Sequence, residues 1–110
     1  MKHTISLKKN RDFARLYKKG DCLVCSCFVM YYLPNGLKQN RIGITVSKKI
    51  GKAVIRNRIK RLIRESYRSF EEYASGYDIV FVARSKMPEV GFFDLKQAMK
   101  KLFEKSNIKG

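Results

Sequence analysis

The densest group of chemically active side chains in this sequence is a run of lysines and arginines in residues 47–64, SKKIGKAVIRNRIKRLIR. Eight cations lie between Lys48 and Arg64, with no acidic residue among them. Cations at this density repel one another within the Debye length of about 8 Å, so they favour a partner that supplies negative charge. Guanidinium groups bind phosphate through paired hydrogen bonds, and Asn57 adds a neutral donor and acceptor among them. The segment therefore indicates binding of a polyanion.

The same segment carries the apolar repeat of an amphipathic helix. At about 100° per residue, apolar side chains fall on one arc of the helical wheel and polar side chains on the other. The apolar arc comprises Ile55, Ile59, Leu62, Ile63 and Tyr67, and the polar arc comprises Asn57, Arg58, Lys60, Arg61, Arg64 and Arg68. Arg56 lies near the edge of the apolar arc, where it could cap the helix start or reach sideways. We predict a helix that packs on a core, runs to about Phe70 or Tyr73 and holds its cations in fixed positions. The alternative is a solvated face that serves solubility alone.

Three aromatic residues outside this helix could contact unpaired bases. Phe13 and Tyr17 share one face of a predicted first helix, and Tyr31 lies on a predicted strand. If that helix and the sheet meet across a groove, the rings could stack on bases, a contact worth about 1 to 3 kcal/mol per base. Ordinary core packing is the alternative. It is favoured for Phe13, and it is evenly balanced with base stacking for Tyr17 and Tyr31, since a hydroxyl tolerates a wet groove.

The sequence gives little support for catalysis by protein groups. His3 is the only histidine, and the nine carboxylates form no cluster that could hold two metal ions. Cys22, Cys25 and Cys27 have no fourth Cys or His ligand nearby, and strand alternation would place Cys22 on the face opposite the other two. We therefore predict no catalytic residue and no metal site on the chain, and we expect the cysteines to be reduced.

Composition narrows the class of protein. The chain has 110 residues, 45% of them hydrophobic, which suits one globular domain spanning residues 1–110. Its 25 Lys and Arg outnumber its 9 Asp and Glu, giving a net charge of +16. Nucleic acid is the leading partner, with a membrane surface or an acidic protein as alternatives. Because the sequence contains no secretory signal and no run of roughly 20 apolar residues, we expect a cytoplasmic protein with no membrane contact.

Local patterns predict the elements that position these side chains. Asn10 is a candidate N-cap for a first helix that ends at Gly20. Residues 22–33 predict one long strand or two shorter ones, and a turn at residues 34–36 leads to an antiparallel strand over residues 41–47. The apolar run YDIVFVAR at residues 77–84 predicts a strand buried on both faces, and residues 92–103 predict a last helix. The expected class is α+β, with one small sheet covered by about three helices.

Taken in order, these motifs resemble the bacterial ribonuclease P protein subunit. Arg56, Asn57 and Arg58, within SKKIGKAVIRNRIKRLIRES, match the Arg-Asn-Arg core of that family's signature. LKKNRDF, FVMYY, RIGITVSKK and YDIVFVAR also match, so the resemblance covers most of the chain. One position departs from the family pattern: Lys52 stands where the family commonly has Asn, which removes a good helix N-cap.

The resemblance implies both a fold and a role. The fold would be a single-domain α-β sandwich around a four-stranded sheet, with a left-handed β-α-β crossover through the basic helix, an exception to the usual handedness. The protein would assemble with ribonuclease P RNA, a catalytic RNA that removes the 5′ leader of precursor tRNA. Magnesium would be held mainly by the RNA, and no obligate protein partner is expected.

The resemblance also assigns residues to two surfaces. The surface for the catalytic RNA would comprise Lys48, Lys49, Lys52, Arg56, Asn57, Arg58, Lys60, Arg61, Arg64 and Arg68. The cleft for the single-stranded leader would comprise Phe13, Tyr17 and Tyr31, with Arg84 and Lys86 in support. The chain would then be an accessory subunit of an endoribonuclease whose chemistry belongs to the RNA. The rival hypotheses are a non-enzymatic RNA-binding or ribosome-associated protein and a protein-only nuclease.

Overall fold

A computed structural model describes residues 4–71, 76–106 and 108, and in these ranges one mixed sheet carries helices on both faces. The strands are β1 (Thr4–Ser6), β2 (Asp21–Val24), β3 (Phe28–Pro34), β4 (Asn40–Thr45) and β5 (Tyr77–Ala83). The helices are α1 (Asn10–Lys19), α2 (Ala53–Arg68) and α3 (Phe92–Lys105), with a 3₁₀ turn at Met87–Glu89. The strand order is β1-β4-β5-β3-β2. The predicted α+β class with three helices is confirmed.

The described part of the sheet has five strands, one more than predicted. The additional strand is β1, which pairs parallel with β4, beginning at Thr4 opposite Asn40. A strand of three residues is too short to give a periodic signal, so the sequence pattern misses it. Residues 22–33 form two strands, β2 and β3, which pair antiparallel around a turn in which the Cys25 N–H donates to the Phe28 carbonyl.

Strand β5 occupies the centre of the sheet. It pairs antiparallel with β3 and parallel with β4, so β3 and β4 run antiparallel as predicted but are not hydrogen-bonded neighbours. The turn between them uses Gly36 in the left-handed region, with φ of 73°. Ile79, Val80 and Phe81 are fully buried, which confirms a strand covered on both faces. Because β4 and β5 are parallel, α2 forms the crossover connection between them, as predicted. The left-handedness of this crossover stays a prediction.

The two faces of the sheet carry separate cores. The larger core joins α2 and α3 to one face, with Ile63 and Phe103 among its members. The smaller core lies under α1 on the other face and centres on Leu16 and Val80. Successive residues of β5 point to opposite faces, so Phe81 joins the larger core and Val80 the smaller. The helix α2 and the helix α1 are therefore held on opposite sides of one sheet.

The first helix begins one residue earlier than predicted. Lys9 has extended backbone angles, and its carbonyl accepts hydrogen bonds from the Asp12 and Phe13 amides, so Lys9 is the N-cap. Asn10 is already helical, and its assignment as the N-cap was wrong. Gly20 ends the helix as predicted, and its N–H donates to the Leu16 carbonyl at 2.9 Å.

The basic helix begins where the sequence predicts but ends earlier. Its N-cap is Lys52, whose side chain makes no capping hydrogen bond, in agreement with the loss of a good cap at this position. It ends at Arg68, because the Ser69 and Phe70 amides donate three residues back, to the carbonyls of Ser66 and Tyr67. The alternative end at Tyr73 lies outside the described residues. Within those residues, no helix has both the length and the apolar character needed to cross a membrane.

Candidate RNA-binding surfaces

The helix α2 presents its cations on the side away from the larger core. Ile59, Ile63 and Tyr67 are fully buried, whereas the polar arc is solvated. Arg56 and Lys60 are half-buried. The other residues predicted to contact the catalytic RNA are exposed. Three of them precede the helix and five lie on it: Lys48, Lys49 and Lys52, and Asn57, Arg58, Arg61, Arg64 and Arg68. These ten residues are called the basic face below. The predicted division of the helix into a packed arc and a solvated arc is confirmed.

A buried polar network fixes the position of α2 on the sheet. The Tyr67 hydroxyl lies 2.9 Å from Thr4 Oγ1 and accepts a hydrogen bond from Asn40 Nδ2 at 3.0 Å. Burial raises the pKa of Tyr67, against the lowering effect of these two hydrogen bonds. Asn40 Oδ1 in turn accepts from the Tyr77 amide at 3.0 Å. Because the network joins α2 to β1, β4 and β5, it restrains the rotation of the helix and hence the direction of its cations.

Contacts with the protein distinguish the cations of the basic face. Arg56 Nε donates to the Gly51 carbonyl at 3.2 Å, so this side chain reaches back to the helix start. Arg58 Nη2 donates to the Pro88 carbonyl at 3.3 Å and connects α2 to the 3₁₀ turn. Arg68 forms an exposed ion pair with Glu65 at 3.6 Å. These contacts restrain three of the cations that the sequence places on this surface.

Two further cations, Arg61 and Arg64, are exposed and have no hydrogen-bond or ion-pair partner among residues 4–71, 76–106 and 108. Arg61 lines a shallow depression together with Asn57, Arg58 and Val54. Val54 is an apolar side chain that is 80% exposed among these cations. The sequence analysis did not predict a role for it. The depression offers charged and apolar contacts side by side.

The three predicted aromatic residues meet on the face of the sheet that carries α1. The ring centroids of Tyr17 and Tyr31 are 5.0 Å apart at 74°, and those of Phe13 and Tyr17 are 6.5 Å apart. Tyr17 is 44% exposed, whereas Phe13 and Tyr31 are half-buried. The Tyr17 hydroxyl lies 3.5 Å from Thr45 Oγ1. Phe13, Tyr17 and Tyr31 are called the aromatic cleft below.

Gly43 of β4 provides the floor on which Phe13 packs. A Cβ atom added at Gly43 would lie 2.6 Å from Phe13 Cζ and 2.7 Å from Phe13 Cε1. Real Cβ atoms do not approach carbon this closely, so the ring requires glycine beneath it. Strand alternation in the sequence places Gly43 and Thr45 on one face, but it does not indicate which helix covers that face. Phe13 therefore packs as a core residue while it also borders the exposed Tyr17.

Arg84 and Lys86 are exposed in the segment that follows β5. Arg84 Nη1 donates to the Cys25 carbonyl at 2.8 Å, and the Arg84 amide donates to the Cys27 carbonyl at 2.9 Å. The Arg84 guanidinium is thus held by the turn between β2 and β3 instead of by a ring of the aromatic cleft. Pro88 lies in the same segment, a few residues after Arg84, and its carbonyl accepts a hydrogen bond from Arg58 of α2. The segment therefore connects the turn between β2 and β3 with α2.

One ion pair that the sequence interpretation missed removes a cation from the surface. Arg41 donates from Nε to Asp78 Oδ1 at 2.8 Å and from Nη2 to Asp78 Oδ2 at 2.6 Å, and it lies 3.5 Å from Asp12 of α1. The hydrogen bonds to Asp78 raise the pKa of Arg41. Asp78 also accepts from Asn35 Nδ2 at 3.0 Å. The arrangement joins α1 to β4 and β5, so Arg41 serves the fold.

The donor groups of the described residues do not fit a metal centre. Among residues 4–71, 76–106 and 108, no group of three or more His, Cys, Asp or Glu could hold a metal ion. Asp12 and Asp78 are already engaged by Arg41. In this part of the chain the residues therefore do not match the oxygen cage that a protein-held magnesium ion requires.

Comparison with known proteins decides the family. A family model described as Ribonuclease P matches residues 1–107. The chain belongs to the ribonuclease P protein family. The ribonuclease P protein component of Caldanaerobacter subterraneus subsp. tengcongensis is 50% identical over 103 residues, covering 93% of this chain and 89% of that protein. The corresponding protein of Clostridioides difficile is 43% identical over 107 residues, covering 96% of this chain and 94% of that protein.

Solved ribonuclease P proteins have the same fold. The RNase P protein of Staphylococcus aureus is 34% identical, with a TM-score of 0.86 and coverage of 96% of this chain and 97% of that one. The RNase P protein of Thermotoga maritima is 34% identical, with a TM-score of 0.83 and coverage of 93% and 97%. The chain is therefore a protein subunit of the ribonuclease P ribonucleoprotein, an endoribonuclease of tRNA 5′ processing, and its partner is ribonuclease P RNA. The resemblance inferred from the Arg-Asn-Arg core and its flanking motifs is confirmed.

Proposed function

We propose that this ribonuclease P subunit holds two RNA strands at once, the ribonuclease P RNA on the basic face and the 5′ leader of precursor tRNA in the aromatic cleft. The observation that carries the proposal is the placement of α2 and α1 on opposite faces of one sheet. Two polyanions can then bind without competing for the same side chains. A single RNA-binding surface would offer no such division.

The charge and exposure of the basic face support its assignment to the catalytic RNA. Seven of its ten residues lie on α2, which the Tyr67 network holds in place, so little backbone order has to be gained there on binding. If the face neutralises about six phosphates, the slope of the logarithm of affinity against the logarithm of salt concentration would be roughly −4 to −5. A salt response much flatter than this would contradict the assignment.

Exposed aromatic edges support assignment of the cleft to the leader. Single-stranded nucleotides have free base faces, and Tyr17 offers a partly exposed ring beside Tyr31. Arg84 and Lys86 add positive charge in the segment after β5, where they would contact the leader backbone. The Tyr17 hydroxyl lies 3.5 Å from Thr45 of β4 and the Tyr17 ring contacts Tyr31 of β3, so this side chain lies across the face of the sheet.

The subunit would contribute affinity and positioning, while the RNA would supply the chemistry. Magnesium would be held mainly by the RNA, near the basic face. By neutralising phosphates close to those ions, the cations of α2 would lower the magnesium concentration that the assembled enzyme needs. The assembled enzyme would work in the bacterial cytoplasm, where precursor tRNA is transcribed.

Reconstitution tests the proposal directly. The purified protein is added to a bacterial ribonuclease P RNA at low magnesium, and leader removal from precursor tRNA is measured. We expect the protein to stimulate cleavage and the protein alone to cleave nothing. No stimulation would contradict the accessory role.

A pair of substitutions tests the cleft within the same assay. Tyr17→Ala should weaken binding of precursor tRNA by about 5- to 150-fold, the equivalent of one stacked base, and leave binding of leaderless tRNA unchanged. Phe93→Ala is the matched control, because Phe93 is an aromatic side chain that is 70% exposed on α3, away from the cleft. Equal losses for both tRNAs would show that Tyr17 has a structural role only.

A further inference from the structure

The turn between β2 and β3 brings two thiols together at the edge of a groove. The Sγ atoms of Cys25 and Cys27 are 3.6 Å apart and share a hydrogen bond. Cys25 is half-buried and lines a groove of about 480 Å³, which Lys101 and Lys105 of α3 also line. Cys27 is 2% exposed and belongs to the larger core. One sulfur of the pair is therefore accessible from the groove, and the other lies directly behind it.

The surroundings separate the two thiols chemically. The hydrogen bond from Cys27 lowers the pKa of Cys25 to about 6, and the positive charge of Arg84 acts in the same direction against the opposing effect of burial. The same hydrogen bond, together with burial, raises the pKa of Cys27. Three charged residues line the groove: Lys101 and Lys105 are cations, and Asp94 is a carboxylate. Cys25 Sγ lies 3.4 Å from the Phe28 carbonyl, to which its thiol form donates. The two pKa shifts favour loss of the proton from Cys25 and its retention by Cys27.

We propose that Cys25 and Cys27 form a peroxide-reactive dithiol site, with Cys25 as the nucleophile and Cys27 as the resolving thiol. The Cys25 thiolate attacks one peroxide oxygen, a sulfur–oxygen bond forms and the oxygen–oxygen bond breaks. The leaving oxygen departs as hydroxide or alkoxide and takes a proton from solvent. Cys25 is oxidised by two electrons to a sulfenic acid, and the peroxide is reduced.

The second step uses the contact between the sulfurs. The Cys27 sulfur attacks the Cys25 sulfur, the sulfur–oxygen bond breaks, and the Cys27 proton leaves with the hydroxyl group as water. The sulfur–sulfur distance has to fall from 3.6 Å to about 2.05 Å, a movement within reach of side-chain rotation in the turn. Cys22 is exposed on β2 opposite Tyr31, on the other face of the sheet, so it serves as an internal control.

Oxidation of this site would act on Arg84. The Arg84 guanidinium donates to the Cys25 carbonyl and the Arg84 amide donates to the Cys27 carbonyl, so closing a disulfide shifts both acceptors. A displaced Arg84 would weaken the contact with the leader backbone, and this consequence rests on the proposed function of the cleft. The dithiol chemistry itself does not depend on RNA.

Mass spectrometry of the full chain tests the site. The fully reduced protein is treated with hydrogen peroxide, and intact mass and peptide maps are recorded. We expect the wild type and Cys22→Ser to lose two hydrogen atoms and to yield a peptide that links residues 25 and 27. Cys25→Ser should form no such link, and Cys27→Ala should stop at a sulfenic acid that dimedone labels. The site is refuted if the folded wild type forms no internal link, or if Cys22 is oxidised before Cys25.

The choice of variants keeps the test valid if a core substitution disturbs the fold. Cys27 is buried, so circular dichroism must show that Cys27→Ala is folded, whereas Cys25 is half-buried and Cys25→Ser gives an independent result. Binding of a single-stranded leader RNA is then compared for reduced and oxidised protein, with several-fold weaker binding expected after oxidation. Equal binding would refute the link through Arg84. No leader binding by the reduced protein would count against the cleft assignment instead, while the mass measurement decides the dithiol site.

Discussion

Arg61 and Arg64, two exposed arginines of the basic face that have no partner among the described residues, give the sharpest test of that face. Arg61 and Arg64 are three residues apart on α2, so they project from adjacent positions of one helix face. Replacing both with alanine removes two positive charges and keeps two strong helix formers. Because neither side chain supports the core, we expect weaker RNA binding without a loss of fold.

The size of the effect follows from counterion release. Each phosphate contact that is lost changes the slope of the logarithm of affinity against the logarithm of salt by about 0.7 to 0.9, so two contacts change it by about 1.4 to 1.8. At about 0.15 M salt this corresponds to binding that is roughly 15- to 30-fold weaker. The free energy of unfolding should change by less than about 0.5 kcal/mol, because substitutions at exposed sites without partners are nearly neutral.

The assay measures binding of labelled ribonuclease P RNA over a range of salt concentrations at fixed magnesium, with thermal unfolding of the free proteins in parallel. Lys100→Ala combined with Lys101→Ala is the matched control, since both lysines are exposed on α3 and the charge loss is equal. The control should keep the wild-type slope. An unchanged slope for the α2 variant would show that Arg61 and Arg64 contact no phosphate. An equal change in the control would show that the total charge of the protein matters and its position on the basic face does not.

Three further substitutions test the fold around the two surfaces. Gly43→Ala places a Cβ atom 2.6 Å from the Phe13 ring, so unfolding free energy should fall by about 1 to 3 kcal/mol, measured by denaturant titration, and leader binding should weaken; a silent change would refute this packing. Tyr67→Phe removes the hydroxyl of the buried network and should cost about 1 to 3 kcal/mol at neutral pH. Because the folded pKa of Tyr67 is raised, its stabilising effect is complete below the unfolded value of about 10 and is lost as the pH rises through the folded value, so alkaline unfolding curves of the two proteins should converge. Val54→Asp adds a negative charge to the first turn of α2, which should preserve or raise the melting temperature while weakening RNA binding; unchanged affinity would exclude the depression around this residue from the interface.

Residue order alone determined the elements with long, strong patterns. The wheel of α2 separates apolar from cationic positions over sixteen residues, and burial of Ile59, Ile63 and Tyr67 follows that separation. The apolar run of β5 likewise indicated a strand covered on both faces. These predictions succeed because the hydrophobic period is a local property that any core must respect. The family signature added the identity of the polyanion.

Features that join distant segments needed the tertiary structure. The sequence does not indicate that β5 enters between β3 and β4, that β1 adds to the edge of the sheet, or that Arg41 is held by Asp78. A strand of three residues is too short to show hydrophobic periodicity. An ion pair shows none either, because its two residues lie tens of positions apart along the chain.

The functional surfaces show the same division. The sequence determined which side chains are cationic or aromatic, and therefore that the chain suits a polyanion, which the family signature identified as RNA. Only the tertiary structure decided that α1 and α2 lie on opposite faces of the sheet, that Gly43 admits the Phe13 ring, and that Cys25 and Cys27 meet beside Arg84. The physical reason is that charge and ring chemistry belong to single residues, whereas a cleft or a reactive pair exists only as a distance between residues that folding brings together.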